Sequence, residues 1–449
     1  MKKSRALLCI LGLLLCLSGC SLAGVDAENI MQPPKATGEQ AGIQSALEKA
    51  AGSNIVFKYP RTGDYRSAVI MHDVTGDGEN EAIAFYRPQG AGEGAHMTVI
   101  QKQEGTWNVL CDFSGPGADI DKVAFGDFNG NGIDEIVVGW GLLTTRDKSC
   151  SIYQYQNSGQ ETGVIRELLE NNLYTEMAVL DINMDGKAEL LSVFSSNQAS
   201  IANLLGMRES TLETIGLQVR LDPAVTSHLN VQTAKLDSET PAMILDGYVA
   251  TNSLTTEMLY WDEAQQKLVA PLNDPETGTA KYVRDVSLHP RDINEDGYVD
   301  FPVQAELPGE KYLKGNLQES MSLPALITWN SFQKKDASFT PITKTMIGPV
   351  DSVWLVLDAL GMENLTAIQD ISQGKITYYL WNGKKENLSE ALFDIQVFPK
   401  YEWDQAVDKT KGFVKKEEKA GLVYAIKFYE NSMLDEVLKE QIQTAFVVS

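Results

Sequence analysis

The sequence predicts a mainly β fold: a β-propeller of about five to seven blades, six being the best match, followed by a small α+β domain. Three observations point there. A nine-residue acidic stretch with glycine at its sixth position recurs, opening at Asp73, Asp127, Asp181 and Asp292. The first three openings lie 54 residues apart, and the fourth lies 111 further on, which is two periods. Each copy runs into a segment such as Ala82-Ile83-Ala84-Phe85, Ile136-Val137-Val138 or Leu190-Leu191-Ser192-Val193. β-Branched, leucine and aromatic residues in short runs read as buried strand.

Within a period one strand enters the stretch, a second leaves it, and a polar hairpin joins a third to a fourth. The hairpins fall in phase: Val99 to Leu110, Ile152 to Ile165, Leu259 to Val269 and Leu326 to Ile342, with Leu204 to Ile215 the best candidate for the third unit. One such sheet cannot cover both of its faces, so neighbours must stack, and closing the ring removes open edges. The gap before Asp292 predicts a degenerate copy, found where the strand Val231 to Asp237 meets Ser238-Glu239-Thr240-Pro241 and the strand Ala242 to Leu245 follows. That copy keeps the strands and has lost the glycine and the closing acid. Asn54 to Tyr59 precedes the first unit and is expected to pair with late strands to close the ring.

The recurring stretch has the chemistry of a site for a hard cation. Ca²⁺ takes six to eight oxygens, and alternate residues of a tight loop supply them, the seventh through its carbonyl. The first copy offers Asp73, Thr75, Asp77, Glu79 and Glu81; the second Asp127, Asn129, Asn131, Ile133 and Glu135. The third offers Asp181, Asn183, Asp185, Lys187 and Glu189; the fourth Asp292, Asn294, Asp296, Tyr298 and Asp300. Up to four structural Ca²⁺ ions are expected, because acids crowded into one turn repel one another without a cation.

At the start, Lys2, Lys3 and Arg5 precede an apolar run from Ala6 to Leu17, too short for a membrane span and right for a secretory segment. Leu17-Ser18-Gly19-Cys20 resembles a bacterial lipobox, which implies a signal peptide over 1–19 and a lipid anchor on Cys20. Residues 20–36, closed by Pro33-Pro34, read as a tether. Residues 37–52 read as a helix opened by a capping box, with Thr37 as N-cap and Gln40 three residues on. The propeller then spans 53–349 and the α+β domain 350–449, whose last helix carries Leu434, Leu438 and Ile442. The basic run Lys409, Lys411, Lys415, Lys416 and Lys419 reads as a solvated loop near a hairpin.

Without its first 19 residues the chain keeps 35 basic against 61 acidic residues, a formal charge of −26. Such a surface repels phosphate backbones, which excludes nucleic acid as a partner. Cys111 and Cys150 are the only cysteines beyond Cys20; they read as buried free thiols, with one bridge left open.

Phe125-Gly126-Asp127-Phe128-Asn129-Gly130-Asn131-Gly132 joins a Phe-Gly pair to the loop. With its in-phase copies it resembles the FG-GAP/VCBS repeats of integrin-like propellers and bacterial lipoproteins. The resemblance covers roughly 54–348 and implies the propeller and its calcium loops, but no specific activity; Thr75 and the copy at Asp237 depart from the pattern. No nucleophile elbow, zinc-protease or phosphate-loop motif is present. The expected function is a membrane-anchored, extracytoplasmic binding or scaffold module for a surface protein or glycan, without enzymatic activity. The alternative is a polysaccharide-processing enzyme on the same scaffold. Converging His, Arg, Tyr and carboxylate groups in the central depression would favour the enzyme; small or apolar residues there would favour binding.

Overall fold

The computed structural model describes residues 38–90, 94–142, 148–157, 163–196, 199–225, 227–348, 353–384, 388–430 and 433–448. The secretory segment, Cys20, the tether and Thr37 lie outside them. Helix α1 (Glu39–Ala51) has Gly38 as its N-cap and no side-chain cap, so the expected capping box is not how it begins.

The first sheet holds β1 (Ile55–Phe57), β2 (Val69–His72), β3 (Glu81–Pro88), β4 (His96–Gln103) and β5 (Thr106–Ser114). The second holds β6 (Asp119–Gly126), β7 (Glu135–Gly141), β8 (Lys148–Gln156) and β9 (Val164–Tyr174). The third holds β10 (Glu176–Leu180), β11 (Glu189–Ser195), β12 (Ser200–Arg208), β13 (Thr211–Thr214) and β14 (Val219–Leu221). The fourth holds β15 (His228–Asp237), β16 (Thr240–Ala250), β17 (Ser253–Asp262), β18 (Lys267–Val269) and β19 (Val283–Arg284). In each, four consecutive strands pair antiparallel in chain order. The fifth sheet repeats this with β20 (Phe301–Ala305), β22 (Leu326–Gln333), β23 (Ser338–Ile347) and β24 (Val353–Val356). Between β20 and β22 lie helix α2 (Glu310–Lys314) and strand β21 (Met321–Ser322).

The near-continuous apolar runs follow from burial on both faces. On β3, Ile83 and Phe85 pack against Ile136, Val138 and Trp140 of the second sheet, while Ala82, Ala84 and Tyr86 face α1. On β16, Met243 and Leu245 pack on Leu191 and Leu204 of the third sheet, while Ala242 and Ile244 pack towards Phe301 and Phe332 of the fifth. The two-residue period of a strand thus distributes one apolar segment between two neighbours. Ile43, Ala46 and Leu47 of α1 cover the first sheet where a preceding sheet would otherwise stack.

The helix sits close. A Cβ on Gly42 would meet Trp107 Cδ1 at 2.6 Å. Ordinarily Gly to Ala inside a helix gains about 1 kcal/mol. Here Gly42→Ala is expected to lose about 1 kcal/mol or more through overpacking, read as a lower urea midpoint with unchanged slope.

Ring closure through Asn54 to Tyr59 is corrected by the pairing: Ile55, Val56 and Phe57 pair with Pro88, Arg87 and Tyr86 of the chain's own first sheet. β2 covers only Glu81 to Ala84 of the eight-residue β3, so the rest of that edge is open to β1.

The sixth sheet is no further copy. Its order is β21, β25 (Leu365–Asp370), β26 (Lys375–Leu380), β27 (Phe393–Pro399), β29 (Leu422–Phe428) and β28 (Val414–Lys419). Short helices α3 (Lys400–Gln405) and α4 (Val407–Thr410) join β27 to β28. Helix α5 (Glu436–Ala445) leads into β30 (Phe446–Val448), which pairs with β24 and so completes the fifth sheet. In return β21 pairs with β25 in the sixth. The expected boundary at 349/350 therefore falls between two strands of one sheet. Lys415, Lys416 and Lys419 lie on the edge strand β28, not in a loop.

Candidate functional site

The four recurring loops join β2 to β3, β6 to β7, β10 to β11, and the approach to β20 to β20 itself. All four share one internal frame. The first aspartate accepts the N–H of the sixth-position glycine: Asp73 from Gly78 at 2.9 Å, Asp127 from Gly132 at 2.7 Å, Asp181 from Gly186 at 2.9 Å and Asp292 from Gly297 at 2.8 Å. The fifth residue accepts from the seventh, as Asp185 does from Lys187 at 2.9 Å. The ninth accepts from the second, as Glu189 does from Ile182 at 3.1 Å and Asp300 from Ile293 at 3.0 Å. The sixth-position glycines have φ between 82° and 88°, a conformation that favours glycine.

The ninth-position acids are the core of each loop. Glu81, Glu135, Glu189 and Asp300 are 1–2% exposed, and none forms an ion pair with Lys, Arg or His among the described residues. Burial pushes Glu81 up to about 7, Glu189 to about 8 and Asp300 to about 6, and the acids at positions 1 and 5 of each loop push the same way. Glu135, facing an amide at position 5, is raised as well. The third-position side chains supply hydrogens to these groups. Thr75 Oγ1 donates to Glu81 at 3.3 Å, Asn183 Nδ2 to Glu189 at 3.1 Å and Asn129 Nδ2 to Glu135, whereas in the fourth loop Asn294 Nδ2 donates to the fifth-position Asp296 at 2.9 Å.

The donor set fits Ca²⁺: carboxylates at 1 and 9, a carboxylate at 5 (the amide of Asn131 in the second loop), an amide or hydroxyl at 3 and a carbonyl at 7. Among the described residues no three carboxylate, His or Cys side chains are drawn into a ready metal cluster. In each loop the backbone N–H groups and the third side chain hold the oxygens apart. An ion there would need the third side chain, Thr75 or an asparagine, to offer its oxygen instead of a hydrogen.

In the degenerate copy a lysine meets the loop aspartate. Its turn is cut to Ser238-Glu239, with Asp237 pairing directly with Thr240. Lys334, from the hairpin of the fifth sheet, places Nζ 2.9 Å from Asp237 and hydrogen-bonds Thr240. Burial alone would raise Asp237, but the hydrogen bonds from Lys334 and the Glu239 N–H hold it below its ordinary value. Lys334→Met is therefore expected to cost about 0.5–1 kcal/mol, since the pair is partly exposed, and added Ca²⁺ should not restore it. A thermal melt of the variant with and without Ca²⁺ checks this.

The loops also touch in sequence. A Cβ on Gly76, the fourth residue of the first loop, would lie 2.6 Å from Ile133 in the second. One on Gly130 would lie 3.0 Å from Lys187 in the third. Glycine is needed at position 4 where another loop follows directly. At position 4 of the third and fourth loops Met184 and Glu295 hold φ near 60° with a side chain. His72 bridges the first two loops, 2.8 Å from Asp134 and stacked on Phe125.

A second feature lies along the inner strands β6, β10 and β15. With residues 62–66 they enclose a groove of about 800 Å³. Lys122 donates to the Met177 carbonyl at 3.0 Å and makes no ion pair among the described residues. Lys148 pairs with Asp121 at 3.2 Å, and Tyr174 donates to the same carboxylate at 2.8 Å. The His228 side chain, 1% exposed, stands 3.9 Å from Glu176 and 3.7 Å from Glu257. Its Nε2 has no hydrogen-bond partner among the described residues. Burial pushes Lys122 down and Glu176 up.

Lys334 and the groove residues escaped the sequence reading, because neither a hairpin lysine nor isolated Lys122, Glu176 and His228 carry a spacing signal. The glycines at position 4 did carry one. Cys111 and Cys150 are free thiols; Cys150 is fully buried as expected, but Cys111 is only half-buried.

No family model matches the chain, and no curated protein matches it. Among solved structures it is similar to the exotype rhamnogalacturonan lyase YesX, at 13% identity over 71% of this chain and 67% of that one, TM-score 0.29. It is similar to the Dos1 propeller at 9% identity over 66% and 64%, TM-score 0.29. It is similar to Sqt1 of Chaetomium thermophilum at 9% identity over 84% and 98%, TM-score 0.34. These likenesses are too loose to bring any of those proteins' chemistry to this chain.

Proposed function

We propose that the chain is a Ca²⁺-stabilised propeller of the FG-GAP/VCBS type, anchored through Cys20 on the outer side of a bacterial membrane, that serves as a binding or scaffold module. One observation supports this most. Four loops each bury a carboxylate beside further acids with no basic partner among the described residues, while the copy that lost its loop has its Asp237 met by Lys334 of the fifth sheet instead. A buried charge needs a partner, and in the four intact loops an ion is the partner that the donors suit. Pull-down from the native cell surface with and without Ca²⁺ tests the binding role. A partner retained only with Ca²⁺ is expected; an identical bare eluate in both arms would count against it. Cys20→Ala is expected to move the protein from the membrane fraction to the medium.

A second reading, an extracytoplasmic polysaccharide-processing enzyme, draws on the groove, where His228, Lys122, Tyr65 and Glu176 converge. Release of shortened products from a cell-surface polysaccharide would establish it.

A further inference from the structure

We propose that the first three loops take up Ca²⁺ as one coupled unit, whereas the fourth acts alone. The inference rests on the calcium reading of the loops and adds how those sites are regulated.

Loops one to three interlock in a repeated way. The seventh residue of each later loop lays its side chain on the fourth residue of the loop before it. Ile133 lies on Gly76 and Lys187 on Gly130, so close that a Cβ on those glycines would stand 2.6 Å and 3.0 Å from them. The eighth residue reaches the position just ahead of the earlier loop. Asp134 meets His72 at 2.8 Å, and a Cβ on Gly126 would lie 2.7 Å from the Cβ of Ala188. Ala188 also donates its N–H to the Asp127 carbonyl at 2.8 Å. The series stops at the third loop. The degenerate turn is cut to Ser238-Glu239 and offers no seventh-position side chain, and Met184 is 59% exposed. In the fourth loop the eighth residue, Val299, donates to the Lys235 carbonyl at 2.9 Å, so this loop leans on the degenerate copy and not on another acidic loop.

These contacts fall on residues beside the candidate ligands. The seventh residue has its own carbonyl to offer within its loop while its side chain sits on the neighbour. The third side chain has to give up its hydrogen bond to the ninth acid before its oxygen is free. It directly precedes the glycine that carries the neighbour's side chain: Thr75 before Gly76, Asn129 before Gly130. Asp127 turns its carboxylate to its own loop and its carbonyl to Ala188. A rearrangement in one loop therefore reaches the backbone of the next, because close-packed neighbours switch together rather than stretch. A loop already ordered also spares its neighbour part of the entropy of ordering. The coupling adds to what each site contributes by itself.

Calorimetric Ca²⁺ titration of the chain without residues 1–19 tests this, and a steeper-than-hyperbolic isotherm is expected. Asp181→Asn, which disables the third loop, should weaken two of the remaining sites at least about fivefold. Asp292→Asn should remove one equivalent and leave the other sites as they were. Lys187→Ala keeps the carbonyl but removes the stem over Gly130, and should lose the coupling between the second and third loops at unchanged stoichiometry. Lys187→Met keeps the stem without the charge and should retain the coupling. Ile133→Ala makes the same test between the first and second loops with no change of charge. Sites that titrate independently, or Lys187→Ala and Lys187→Met behaving alike, would overturn the proposal and leave the calcium-stabilised module standing. So would Asp292→Asn weakening the other sites as much as Asp181→Asn does. No Ca²⁺ uptake at all would remove the calcium reading itself, and the coupling with it.

Discussion

Chelation of Ca²⁺ is expected to lower the melting temperature on the order of 10 °C at pH 8, and by clearly less at pH 5.5. At a free ion level about tenfold over Kd, each site adds about 1.4 kcal/mol, and four independent sites add about 5–6 kcal/mol. In a chain of this size each kcal/mol moves the midpoint by about 1–2 °C. The pH dependence follows from the ninth-position acids. In the ion-free protein Glu81, Asp300 and Glu189 have values raised to about 7, 6 and 8. A carboxyl raised in the folded state favours folding while protonated. That contribution is whole below the ordinary carboxylate range and is lost as pH rises through the raised values. The ion-free protein should therefore melt higher at pH 5.5 than at pH 8, whereas Ca²⁺ binds the ionised form and helps most at pH 8. Calorimetric melts with EDTA and with Ca²⁺ at both pH values check the prediction. Superimposable curves would sink it.

Arg284→Met is expected to cost about 3–5 kcal/mol. Arg284 is 3% exposed, and its guanidinium lies 2.9 Å from Asp246, whose side chain is fully buried. It also donates to the Leu288 carbonyl at 2.7 Å and to Thr256 at 2.8 Å, while His289 Nδ1 sits 2.6 Å from the second Asp246 oxygen. Methionine fills part of the volume but leaves Asp246 a buried charge with only Thr256 and His289 beside it. Adding Asp246→Asn to the variant should recover a good part of the loss, because it removes the stranded charge. Chemical denaturation of the single and double variants measures this. A loss under about 1 kcal/mol in Arg284→Met would show that Asp246 finds enough compensation without the arginine.

The strand-loop-strand ruler was legible because loop chemistry is local. Aspartate, glycine and a closing acid at fixed offsets dictate a turn, and the apolar run after it dictates a strand buried on both sides. The same logic placed the degenerate copy at Asp237, since the strand Ala242 to Leu245 outlasts the loop. Pairing between distant segments was not legible. Ile55 to Phe57 is equally good strand against any open edge, and only the short reach of β2 along β3 decides its partner. The capping-box pattern at Thr37 matched a helix that starts at Glu39 behind Gly38, one place where sequence spacing alone could not choose between adjacent starts. Lys334 reads as one more hairpin lysine until the fold sets it against Asp237, nearly a hundred residues earlier. The groove is the extreme case, since Lys122, Glu176 and His228 come from three different sheets.

The exchange between the fifth and sixth sheets also sets an order of arrival. Val353 pairs with Val448 and Leu355 with Phe446, so one border of the fifth sheet stays bare until nearly a hundred further residues have emerged and folded back. Long-range pairing of this kind is slow to form, and a waiting strand border invites the wrong neighbour. The sixth sheet and α5 thus act as the latch that delivers the sealing strand. A chain stopped anywhere between β24 and β30 would present a sticky flank, and a protease would have a ready way to tell it from a finished one.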